Sequence, residues 1–228
     1  QFVMPEFHLY GHWVSQPTRA VGWLCLMNNI PFTFHEIDPL RKQHKTEEYQ
    51  KISPNGLIPA IHDESMNLRL SEGNAILQYL CEKNNLEAWY PCDLPTRALV
   101  LQYLHWHHSN TRLFTIAIYR PAMMAFIKKK SPDLTEGMKK VEPVLHKLEQ
   151  WLTNRSFLCT ENAPTIADLS CYCELDQLKV FGLCELERFS GISRWMARME
   201  QLPAHAEAHQ QLNSLHGVLM SRMNKSKL

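Results

Sequence analysis

From residue 6 to about residue 83, short apolar runs alternate with amphipathic segments, the pattern of an α/β unit. Glu6 to Tyr10 reads as a strand. The segment behind it puts Pro17 in a first helical turn, where a missing N–H costs nothing, and places Val21, Leu24 and Cys25 on one face. Asn28-Asn29 end that helix. Pro31 leads into Phe32 to Ile37, aromatic and β-branched, a second strand parallel to the first through a right-handed crossover. Residues 44 to 51 read as a short polar helix and Ser53-Pro54-Asn55-Gly56 as a turn. Leu57 to Ile61 is an apolar run with Pro59 in its middle, which predicts either a short edge strand or a cis peptide bond. The Asp63-Glu64-Ser65 turn joins it to a strand from Asn67 to Leu70, and Ser71 caps a helix with Ala75, Ile76, Tyr79 and Leu80 on one face. The predicted order is β-α-β-α-β-β-α.

Beyond Pro95 the strand-like alternation ends. Residues 95 to 127, 134 to 154, 165 to 180, 192 to 200 and 203 to 222 all carry helical periodicity, separated by Pro, Gly or Ser. Thr165-Ile166-Ala167-Asp168 has the form of a capping box, and losing Asp168 from it is worth on the order of 1 kcal/mol. The expected division is a small thioredoxin-like α/β domain over 1–83, a linker over 84–94, and an all-α domain over 95–228.

Composition narrows the class. The 228 residues are 45% hydrophobic and 21% charged, an ordinary globular balance. Lys plus Arg number 24 against 23 Asp plus Glu, so no single-sign field exists to hold nucleic acid or an anionic membrane. The seven cysteines are odd in number and lack paired C-x-x-C spacing, which reads as reduced thiols and no zinc site. No opening stretch reads as a secretory signal, and no apolar run approaches the ~18 residues of a membrane span. Ser226-Lys227-Leu228 has the form of a peroxisomal import address, so a peroxisomal protein is the expectation and a cytoplasmic one the alternative.

Candidate chemistry centres on Ser15, where the first strand gives way to the first helix. A hydroxyl there lies beside unpaired N–H groups and the positive end of the helix dipole, suited to an anion. It sits in no G-x-S-x-G and has no traceable base, so donation rather than nucleophilic attack is expected, with a plain N-cap as the bland reading. His105, His107 and His108 do not share one helical face, and no metal site is expected. Neither G-x-x-x-x-G-K-S/T nor G-x-G-x-x-G occurs, which removes the commonest nucleotide sites.

The element order, the proline in the third strand and six short motifs in register resemble the cytosolic glutathione transferases over nearly the whole chain, and the theta class most of all. The motifs are S-Q-P-T-R (Ser15 to Arg19), Q-H-K (Gln43 to Lys45), N-G-L-I-P-A (Asn55 to Ala60), S-E-x-x-A-I (Ser71 to Ile76), W-Y-P (Trp89 to Pro91) and T-I-A-D (Thr165 to Asp168). The resemblance implies a serine-type glutathione transferase that conjugates glutathione to small hydrophobic electrophiles, with peroxidase activity on organic hydroperoxides as a second expectation. Glutathione is then the co-substrate, without a metal, and a homodimer the expected assembly. Ser15 becomes the catalytic donor to the glutathione sulfur. Glutathione is held by His44, Leu57, Ile58, a cis Pro59, Glu72 and Gly73. Trp13, Val14, His108, Arg112 and Ile116 are the candidates for the electrophile site. Tyr10 is the rival donor, disfavoured by its longer spacing from Arg19. Leu57 and Gly73 depart from the theta pattern, which has Lys and then Ser or Thr there; the alternative they suggest is a non-catalytic protein of this fold that binds hydrophobic ligands or partners.

Overall fold

A computed structural model describes residues 6–225. The Ser226-Lys227-Leu228 tripeptide lies outside the described residues. Contacts divide the chain into two units, one of residues 1–87 with 202–209, the other of 88–201 with 210–228. The segment 202–209 therefore groups with the α/β unit, not with the helices on either side of it in the chain.

The first unit is built on a four-stranded sheet of order β2-β1-β3-β4. Its strands are β1 (Phe7–Gly11), β2 (Thr33–Glu36), β3 (Ala60–Asp63) and β4 (Leu68–Ser71). β1 runs parallel to β2 and antiparallel to β3, which pairs antiparallel with β4. The fold class is as read from the sequence: a thioredoxin-like mixed sheet with helices, followed by an all-α part. Side chains alternate along β1, with Phe7 and Leu9 buried and His8 and Tyr10 turned to the other face. There Tyr10 stacks on His35 at 4.4 Å and meets the Tyr49 ring edge-on. Helix α1 (Gln16–Met27) buries Val21, Leu24 and Cys25 completely, and α2 (Glu47–Gln50) is the short helix expected after residue 44.

One pair of alternatives is decided and two expectations need correction. The third strand begins at Ala60 and is flanked on both sides, so it is not an edge strand; the Ile58–Pro59 bond is cis and Pro59 lies just outside the ladder, where its missing N–H is not needed. The N-cap position of helix α3 (Gly73–Lys83) is Glu72, whose side chain makes no capping bond, because Ser71 is still paired with Ala60 in the sheet. Its buried face is Gly73, Ile76, Leu77, Leu80 and Cys81, with Ala75 and Tyr79 at the margin. Tyr79 instead donates to Asp63 at 2.5 Å, beside Ser65 and an ion pair from Lys83.

The second unit contains α4 (Leu94–His107), α5 (Arg120–Ile127), α6 (Thr135–Leu152), α7 (Ile166–Val180) and α8 (Ser190–Glu200), and α9 (His205–Lys225) continues into it. The single helix expected over 95–127 is broken. After His107 the chain turns through Ser109-Asn110-Thr111, then winds as a π-helix over Phe114–Tyr119. The Thr111 hydroxyl is bonded to the buried His107 ring at 2.7 Å, so the polar run is turned inward rather than carried on as an amphipathic helix. Helix α7 is the core, with only Lys179 and Val180 outside its buried set. Its capping box is formed, and Asp168 does more than cap. One carboxylate oxygen accepts from Thr165 N at 2.9 Å and its hydroxyl at 3.1 Å; the other accepts from Leu158 N and Trp195 Nε1, both at 2.9 Å.

Candidate active site

Sheet register brings the sequence-predicted residues of the first unit to one end. Tyr10 opposes Ala60 and Ala60 opposes Ser71, so the loop after β1, the cis proline before β3 and Glu72 after β4 all emerge together. The same end receives Glu36, paired with Gly11, from which the chain leaves toward His44.

The loop after β1 is held by its backbone. His12 O accepts from Ser15 N at 2.8 Å and Ser15 O from Arg19 N at 2.9 Å. The Arg19 guanidinium donates to Val14 O at 2.7 Å and Trp13 O at 3.3 Å. Val14 N donates to His12 Nδ1 at 3.2 Å, which leaves the other ring nitrogen of His12 to carry hydrogen toward Glu36, 3.9 Å away. Ser15 is the N-cap of α1 with extended dihedrals (φ −74°, ψ 125°), yet its hydroxyl makes no capping bond and no other hydrogen bond among the described residues. A Ser at an N-cap normally spends its oxygen on the N2 or N3 amide. This one is half-buried and keeps its donor for something else.

Trp13, offered as a wall for an electrophile, is seated on its own unit. Its ring lies 5.2 Å from that of Phe34 and over Gly22, where any Cβ would come within 2.4 Å of the indole. The tryptophan anchors the loop, and Gly22 is what makes room for it.

The carbonyl of Leu57 is pinned by Tyr49 Oη at 2.7 Å and Ser53 Oγ at 2.9 Å, while its side chain is 51% exposed. The backbone N–H and C=O of Ile58 have no hydrogen-bond partner among the described residues. That leaves a donor and an acceptor on one residue, suited to an extended peptide-like ligand. Glu72 is exposed at φ 75°, a conformation non-glycine residues adopt when a site requires it. Gly73 opens α3 against Pro17: a Cβ on it would lie 2.7 Å from the proline Cβ, so the close approach of α1 and α3 requires glycine here. His44 follows in a 3-10 turn, its Nδ1 buried without a partner among the described residues, and burial, with Lys45 beside it, holds its pKa below the usual imidazole value.

In the second unit His108, Arg112 and Ile116 recur every four residues along the broken helix. His108 is exposed with its ring edge toward that of His107, and Ile116 is half-exposed in the π-helix. Arg112 is bound to Glu174, 1% exposed, at 2.9 Å; the same carboxylate accepts from Thr115 Oγ1 at 2.5 Å and Gln177 Nε2 at 3.2 Å. His107 lies 3.8 Å from it, and burial pushes its pKa down to about 4 against the pull of Glu174. Sequence reasoning gave Arg19 only as the end of a motif, without a role, and missed Thr115, Glu174 and Gln177; for the last two the signal was that α7 carries polar residues in an otherwise apolar stretch. Among the described residues no three His, Cys, Asp or Glu side chains converge as a metal site, and no helix is long and apolar enough to cross a membrane.

The family model for the glutathione S-transferase N-terminal domain matches residues 9–88, and that for the C-terminal domain matches residues 106–203. Glutathione S-transferase theta-2 of Mus musculus is 33% identical, covering 94% of this chain and 90% of that protein. Glutathione S-transferase T3 of Arabidopsis thaliana is 34% identical over 91% of this chain, which spans only 37% of that longer protein. Human glutathione transferase theta-2, solved in complex with glutathione, superposes with a TM-score of 0.84 at 32% identity, covering 95% of this chain and 91% of that one. Matched in both its domains and along nearly its whole length, the chain belongs to the glutathione S-transferase family and is theta-like within it.

Proposed function

We propose that this chain conjugates the thiolate of glutathione to small hydrophobic electrophiles, with the Ser15 hydroxyl as the donor that keeps the sulfur charged. The observation that carries the reading is the N-cap serine whose hydroxyl is unspent, at the sheet end shared with Ile58 and Glu72. Bringing a thiol from ~8.5 down by about two pKa units needs roughly 2.7 kcal/mol of differential stabilisation. One charge-assisted hydrogen bond and a helix N-terminus supply that much. Tyr10 is a poorer donor for the same sulfur: it stacks on His35 on the other sheet face, and burial raises its pKa. Family membership and the human theta-2 enzyme solved with glutathione support the co-substrate.

Ile58 would pair with the cysteinyl backbone, Glu72 would take the γ-glutamyl amino group, and His44 would reach the glycyl end. The face of His108, Arg112 and Ile116 is the candidate for electrophile contact. The same thiolate would attack the O–O bond of an organic hydroperoxide, releasing the alcohol and leaving glutathione sulfenic acid, which a second glutathione converts to the disulfide and water, and the assembly would be a homodimer. The S-K-L ending would send the protein to peroxisomes, which a tagged chain with and without Leu228 tests by microscopy. Ser15→Ala is the decisive variant: kcat/KM with glutathione and an aryl halide or epoxide falls by about 100-fold, in line with losing a donor to a developing anion. An unchanged kcat/KM removes Ser15 from the reaction. The exposed Leu57, where the theta pattern has a cation, favours one other reading, a binding protein without turnover. Retention on immobilised glutathione together with turnover rules it out.

A further inference from the structure

Arg19 lies in the first turn of α1 and is completely buried. Burying a guanidinium is costly, and a chain that keeps one gains something a leucine would not give. Here its Nη1 faces two consecutive carbonyls, Val14 O at 2.7 Å and Trp13 O at 3.3 Å, which are the two residues immediately before Ser15. Its own N–H closes on Ser15 O at 2.9 Å. Among the described residues the Ser15 hydroxyl makes no hydrogen bond, so what places it is the backbone of the 12–15 loop, which sets where its Cβ sits. What fixes that backbone on the carbonyl side is the Arg19 fork.

The charge surroundings of Arg19 are equally specific. The ring of His209, 1% exposed, lies close enough to Arg19 that the two repel when both are charged, and burial with that repulsion drives the His209 pKa down to about 2. A neutral His209 sits near the cation without opposing it. It is held there by Trp23, whose ring it meets edge-on at 4.9 Å, and by its Nδ1 at 2.8 Å from His205 O.

We propose that Arg19 is the positioning residue for Ser15, a buried cation whose fork on Trp13 O and Val14 O aims the serine hydroxyl at the glutathione sulfur. This rests on the reading of Ser15 as the thiolate donor. Arg19 touches no substrate; it acts through the loop.

The test uses the full chain carrying Arg19→Lys and Arg19→Met, with Ser15→Ala as reference. The readout is the pH profile of kcat/KM for glutathione, which reports the ionisation of the thiol. Lys keeps the charge but cannot span two carbonyls with fixed donors, and Met keeps the volume only. In both, the acidic limb of the profile moves up by about one pH unit and kcat at pH 6.5 falls about tenfold, while KM for glutathione stays within about threefold. In the Arg19→Met background, adding Ser15→Ala costs about tenfold rather than about 100-fold, because Arg19 acts only through Ser15 and the double variant falls no lower than Ser15→Ala alone. If Arg19→Met does not fold, Arg19→Gln, which can reach one carbonyl, shows the same upward limb. A limb at the wild-type pH in the folded variants, with Ser15→Ala still costing its full factor, overturns the role of Arg19 and leaves that of Ser15 standing. A Ser15→Ala enzyme with the wild-type profile overturns both.

Discussion

The guanidinium of Arg112 meets the carboxylate of Glu174 at 2.9 Å across 62 residues of sequence, and only Arg112 reaches solvent. Glu174 also holds Thr115 of the π-helix, so one acidic side chain sets the face that carries His108, Arg112 and Ile116. Glu174→Gln removes the charge opposite a partly buried cation and costs about 3 kcal/mol of stability. For a chain of this size that is a fall in Tm of about 6 to 12 °C. Pairing it with Arg112→Leu recovers part of the loss, and a double-mutant cycle by calorimetry measures how much; strict additivity means the pair is not coupled.

The two departures from the theta pattern behave oppositely on repair. Leu57 is exposed, so Leu57→Lys is accommodated without repacking and supplies a cation where the theta pattern has one. KM for glutathione falls about threefold to tenfold, the discounted worth of a charged hydrogen bond at an open site. Gly73→Ser has to force Pro17 away from a 2.7 Å contact and costs about 1 to 3 kcal/mol with no gain in affinity. Steady-state kinetics alongside thermal melts distinguish the two.

Asp168 is worth more than a cap. In Asp168→Ala the N–H groups of Leu158 and Trp195 lose their acceptor inside the core along with the Thr165 cap. The sequence-level figure of about 1 kcal/mol rises to about 3 kcal/mol or more, since each orphaned buried donor adds its own desolvation cost. Chemical denaturation reads the difference as a shift of midpoint at unchanged slope.

His107 makes stability depend on pH in a definite direction. Its pKa is about 4 in the folded chain and about 6.5 when unfolded, so between those values the unfolded state binds more protons. The contribution is complete above pH 6.5 and is lost as pH falls toward 4, amounting to about 3 kcal/mol. Tm measured from pH 7.5 to 4.5 declines, and His107→Gln, which cannot take up the proton, declines less steeply. Equal slopes in the two proteins assign the loss to other groups.

Much of this architecture was legible from local pattern. The periodicity of residues 16 to 27, the turn at Ser53 to Gly56 and the proline at 59 each record a local rule, and the parallel pairing of β1 with β2 follows from the crossover between them, whereas the pairing of β1 with β3 had no local signal. Ser15 could be singled out because helix N-termini have a sequence signature. Boundaries failed where pairing decides them. Ser71 looks like a cap, yet its ladder bond to Ala60 keeps it in the sheet, and Glu72 takes its place. The break after His107 was invisible because the partner of Thr111 is a buried histidine rather than water. Glu174, Thr115 and Gln177 form a network between segments about sixty residues apart, and nothing in the local composition of either end announces the other.

The hydrogen bond from Trp23 to the carbonyl of Pro203 joins positions 180 residues apart. At 5 to 20 residues added per second, about 10 to 40 s separate the emergence of Trp23 from that of its acceptor. For that interval the α/β unit has its sheet and its helices without Pro203, His205 and His209, which meet Trp23. Fragments ending near residue 87 stop at the same incomplete stage, so cutting the chain at its linker does not release a finished glutathione-binding half.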